Sequence, residues 1–176
     1  MKKVLIALML AVMPVLASAQ GSILKQVLDI VSVEENDVKI SVFDMPENDL
    51  HQYFLCVGTL GFGDDYVQVQ LDPVFQLFIP LGNTLDEAQA RLQEFVEVSK
   101  GPVGTEIQTE GTLALANPSM GEIEPVYVTA HRLLLERLAE FSVKRNGYVR
   151  ATHISRANLK TLLSGVKFYR KLHPKE

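Results

Sequence analysis

The chain has 176 residues, one cysteine, no tryptophan and a formal net charge of −4. A single cysteine excludes an intramolecular disulfide, and a chain of this length buries enough surface to hold a core by packing alone. The charge is two-ended: residues 20–143 carry 6 Lys/Arg against 20 Asp/Glu, and residues 144–176 carry 9 against 1. With the balance acidic overall, no nucleic-acid partner is expected.

Lys2 and Lys3 precede the apolar run Val4 to Leu16, and Ala17-Ser18-Ala19 follows as a small-residue cleavage site. These are the three parts of a secretory signal peptide in order. Residues 1–19 are therefore expected to be removed on export to a periplasm or the extracellular space, leaving residues 20–176 as one domain. Positions 20–22 read Gln-Gly-Ser, so lipidation at a cysteine after the cleavage site is not expected. The strongest later apolar run, Tyr53 to Leu60, is too short to span a bilayer, so no transmembrane segment is expected in the mature chain.

Ile23 to Val33 fits either a helical face or an extended chain, with strand favoured towards its end. Glu34 to Asp37 is a turn cluster, after which Val38, Ile40 and Val42 alternate with polar residues, predicting a hairpin. Met45 to Asp49 reads as a loop and Gln52 to Leu60 as a strand buried on both faces. Within it, Cys56 reads as a small buried hydrophobe, since only His51 lies near enough in sequence to activate a thiol. Gly61 to Asp65 is predicted to turn, Tyr66 to Leu71 to form a strand with Val67, Val69 and Leu71 inward, and Phe75 to Leu81 to form another. In that last strand Pro80 is tolerable only at an end or an edge.

Thr84-Leu85-Asp86-Glu87 is a capping box opening a helix over residues 85–99, stopped by Lys100-Gly101-Pro102. Thr105 to Leu115 predicts a strand, and Asn117 to Gly121 a loop. Residues 126–140 suit strand or helix equally: Val126 and Val128 begin as a strand, whereas Leu134, Leu135, Leu138 and Phe141 also fit a helical face. Asn146-Gly147 marks a hairpin joining Phe141–Val143 to Val149–Ile154. Ser155 caps a second helix over residues 156–164, with Gly165 a candidate stop and the basic tail either a helical extension or a short strand. Together these elements predict an α+β fold: an antiparallel meander of short strands with two helices.

Chemistry is thinly marked. Gly58, Gly61 and Gly63 are spaced G-x-x-G-x-G and precede a strand, whereas a phosphate loop needs a helix N-terminus. His51, His131, His153 and His173 contain no H-x-x-x-H pair, so no metal site and no cofactor are expected. Ser119 lacks the glycine pattern of a nucleophile elbow. The basic C-terminal region offers an anion-binding set, Arg150, His153, Arg156 and Lys160, for an anionic ligand or surface, while its simplest role is to neutralise the acidic body of the same domain. The reading that follows is a non-enzymatic binding or envelope-associated module. The alternative is a small hydrolase assembled from His131 or His153 with Asp64, Asp65 or Asp72.

Overall fold

Period-two alternation builds most of this molecule, and a computed structural model describes it over residues 23–45, 50–58, 61–62, 76–145 and 148–174. In chain order the strands are β1 (Lys25–Val33), β2 (Val38–Met45), β3 (Leu50–Val57), β4 (Gly61–Phe62), β5 (Gln76–Gly82), β6 (Glu106–Ala114), β7 (Ile123–Leu133), β8 (Glu136–Arg145) and β9 (Tyr148–Ser155). Helix α1 (Leu85–Lys100) lies between β5 and β6, and α2 (Arg156–Leu172) follows β9. All pairings are antiparallel, in the order β1-β2-β3-β5-β6-β7-β8-β9-β4. The class is α+β, as the sequence predicts.

The sheet must be curled. In a flat sheet the six strand spacings between β3 and β4 would separate them by about 29 Å. The four residue steps from Val57 to Gly61 reach at most about 14 Å. The short β4 therefore ties the end of β3 to the far edge, where Gly61 and Phe62 pair with Ala151 and Arg150. The β1–β2 turn meets the same edge, with Asn36 in the left-handed region (φ 58°) and its Nδ2 donating to the His153 carbonyl at 2.7 Å.

Curling encloses one core between the concave face and the two helices. Val38, Ile40, Leu55, Ile79, Val126, Val128, Phe141 and Ile154 point inward from the strands to meet Leu85, Leu92 and Phe95 of α1 and Leu159, Leu162 and Val166 of α2. Thr84 caps α1 with the predicted reciprocal bonds to Glu87. A smaller cluster of Leu24, Phe43, Phe54, Cys56, Phe78 and Ala114 lies on the opposite face of β2, β3, β5 and β6. Its three phenylalanines meet edge-to-face, with centroids 5.2 to 6.4 Å apart. Strand β3 is thus buried on both sides, and burial above all pushes the Cys56 thiol up to about 12.

Several ambiguities resolve. Residues 23–33 are strand. Residues 126–140 form an antiparallel hairpin, with Leu133 paired to Glu136. Gly61, predicted to turn, instead belongs to β4. Pro80 pairs with Phe54 on one side only, because the β5–β6 ladder runs from Gln76 to Phe78. Gly165 does not stop α2: a Cβ there would stand 2.6 Å from Val31, so glycine serves the close approach of helix to β1 and the helix continues to Leu172. The leader, the Met45–Asp49 loop beyond Met45, the predicted Tyr66–Leu71 strand, Asp64, Asp65 and Asp72, and the Asn146-Gly147 turn lie outside the described residues.

Candidate metal centre

Strands β7, β8 and β9 turn one set of side chains into the core and the alternate set outward. Ala139 and Phe141 of β8 are inward, which places Glu140 outward; Ala130 and Ile154 are likewise inward, which places His131 and His153 outward. Register brings the outward three together. Glu140 lies directly opposite His153, and His131 sits diagonally from Glu140, two residues along β7 from its partner Thr129.

The result is a convergence on one carboxylate oxygen. Glu140 Oε2 stands 3.0 Å from His153 Nε2 and 3.7 Å from His131 Nε2. The imidazoles are 5.6 Å apart at 80°, and one donor atom from each of the three residues lies within 4.8 Å of the others. In a tetrahedral site with bonds of about 2.0–2.1 Å, neighbouring donors stand about 3.3 Å apart, a value that the two distances to Glu140 bracket. Both histidine side chains are just under half exposed and Glu140 about a quarter, leaving an open side for water or another ligand. The carbonyl of His153 is held by Asn36, and Thr129, which faces Glu140 across the ladder, donates its hydroxyl to Glu106 at 2.9 Å.

The donor set has the composition of sites for first-row divalent ions. Two imidazoles suit zinc, copper, nickel or iron, and one carboxylate balances charge without selecting the oxygen-only sites that magnesium and calcium prefer. Three protein ligands leave at least one coordination position open.

Of the four residues proposed for anion binding, only His153 belongs to this centre. Arg150 lies three residues from it on β9 and therefore on the opposite face of the sheet. Arg156 opens α2, and Lys160 is exposed one turn further along. The four do not form one surface. Part of the basic stretch instead meets the acidic body: Arg170 pairs with Asp86 across the helices. Glu97 is held below the ordinary carboxylate range, first by the hydrogen bond from Lys100 and to a lesser degree by the charge of Arg156. Sequence reasoning missed Glu140 and the pairing of His131 with His153, because cross-strand proximity depends on register. The available signal was that all three lie at outward positions of strands joined by short turns.

No protein-family model, no curated protein and no solved structure matches the chain.

Proposed function

We propose that the chain is an exported binding module whose ligand is a first-row divalent metal ion of the zinc type, held by His131, Glu140 and His153. The observation that supports this reading is the convergence of two imidazoles and a carboxylate, from three adjacent strands, on the outward face of the sheet. Proton competition gives the binding a sign: imidazole must be deprotonated to ligate, so uptake weakens as the pH falls.

The hydrolase alternative keeps one specific support, the open position that a three-ligand site leaves for a metal-activated water. In that reading His131 and His153 act together, with Glu140 as the carboxylate in place of Asp64, Asp65 or Asp72.

Calorimetric titration of tag-free protein with zinc tests both readings. One equivalent is expected to bind, and affinity should fall at least about tenfold in His131→Ala, Glu140→Gln and His153→Ala. His51→Ala serves as the control, since His51 pairs with Asp44 away from the centre. Unchanged affinity in the three variants would contradict the assignment. Zinc-dependent hydrolysis of ester or phosphoester probes, lost in Glu140→Gln, would move the reading to the enzyme.

A further inference from the structure

Three consecutive leucines form the tip of the β7–β8 hairpin. Leu133, Leu134 and Leu135 are 65%, 89% and 88% exposed, and Leu134 occupies the left-handed region at φ 54°. It is the first central residue of a two-residue hairpin loop, a position that glycine fills without steric cost when φ is positive. A leucine there is both strained and almost wholly in water, so neither local conformation nor packing accounts for it.

The surroundings say what would accept it. Arg132 Nε donates to the Leu134 carbonyl at 3.1 Å, which holds one guanidinium at the tip. Arg137, on the other strand, donates to the Lys100 carbonyl, and Gly104 N donates to the Ala130 carbonyl at 2.9 Å. These bonds lay the α1–β6 loop beside the hairpin, with Val103 66% exposed. An apolar point is thus flanked by Arg132 and Arg137, with Glu136 the one carboxylate on the same turn. A few leucines and a valine fall well short of the roughly 1,000 Å² that a stable protein interface needs, which disfavours a second copy as the occupant. Apolar side chains inserting beneath lipid headgroups, with guanidiniums held at the phosphates, fit both the size and the charge.

We infer that the Leu133–Leu135 hairpin tip is a membrane-contact point that inserts into an anionic phospholipid surface, with Arg132 and Arg137 at headgroup level. The contact is reversible and salt-sensitive, and it is independent of the metal centre.

The test uses the chain from Gln20 onward, because the apolar leader would itself enter lipid; every core residue of the described fold lies at Leu24 or beyond. The probe is co-sedimentation with phosphatidylglycerol–phosphatidylcholine vesicles and with phosphatidylcholine alone. Binding is expected with the anionic vesicles, weakened by salt and unchanged by chelator. It should drop by about tenfold for each leucine removed in Leu134→Ser and Leu134→Ser/Leu135→Ser. The chain has no tryptophan, so Leu134→Trp adds a sole indole reporter whose emission should shift to the blue on the same vesicles. Absence of binding, full binding by the double serine variant, or an indole that stays in water while the protein is bound would each overturn the inference.

Discussion

The inner and outer faces of β7, β8 and β9 are made by the same residues in alternation, yet they do different work. Inward, Val126, Val128, Ala130, Ala139, Phe141, Val143 and Ile154 are all buried against the helices, and Phe141 meets Phe95 edge-to-face at 5.3 Å. Outward, His131, Glu140 and His153 are partly exposed and touch one another rather than a core. One residue step along a strand separates the packed face from the candidate metal centre, so burial of the inner face fixes where His131, Glu140 and His153 stand.

That contrast can be broken from either side, and the largest effect belongs to the inner face. Phe141→Ala should cost about 3–5 kcal/mol in urea denaturation, while the folded fraction retains its zinc affinity. Its neighbour Glu140→Gln should do the reverse, weakening zinc affinity at least about tenfold while changing stability by less than about 0.5 kcal/mol. If both variants lose both properties, the faces are not separable.

Gly165→Ala probes how closely the inner layer is packed. A Cβ would collide with Val31 on β1, so the variant should lose about 1–3 kcal/mol by overpacking, against the roughly 1 kcal/mol that alanine ordinarily gains in a helix. A more stable variant would show that α2 has room to move. At the hairpin tip the sign inverts: Leu134→Gly relieves the positive φ and should raise stability by up to about 1 kcal/mol, seen as a higher denaturant midpoint, while weakening vesicle binding.

The smallest effect is electrostatic. Burial is the largest single influence on Asp29 and pushes its carboxyl up, but hydrogen bonds from Ser41, Lys39 and Gln26 and the Lys39 charge together hold it below the ordinary aspartate value. A depressed folded value means that its stabilisation is present above the unfolded value and disappears as the pH falls through the folded one. The side chain is 38% exposed, so screening limits the effect to well under about 1 kcal/mol. Asp29→Asn should melt slightly below the wild type at neutral pH, and the difference should vanish in acid.

Much of the fold was legible in the sequence because its signals are local. The capping box at Thr84, the Ser155 cap, the alternation in β2 and the double-sided apolar run of β3 each depend on neighbours a few residues away. The stretch over residues 126–140 was not decidable, because Leu134, Leu135 and Leu138 satisfy a helical period. Only in the fold does it emerge that Leu134 and Leu135 are exposed at a turn while Leu138 is buried. Gly165 looked like a helix stop because its reason, Val31, is far away in the chain. The site was less legible still. The charge excess after residue 144 points to Arg150, Arg156 and Lys160, whereas the convergence of His131, Glu140 and His153 depends on the register of three strands.

The most direct test of the outward face as a metal centre is the zinc K-edge X-ray absorption spectrum of the one-to-one zinc complex. Two imidazole nitrogens at about 2.0–2.1 Å with the remaining ligands oxygen, falling to one imidazole in His131→Ala and in His153→Ala, is the predicted result. An oxygen-only shell, or a spectrum unchanged by either substitution, would place the ion elsewhere and contradict the assignment.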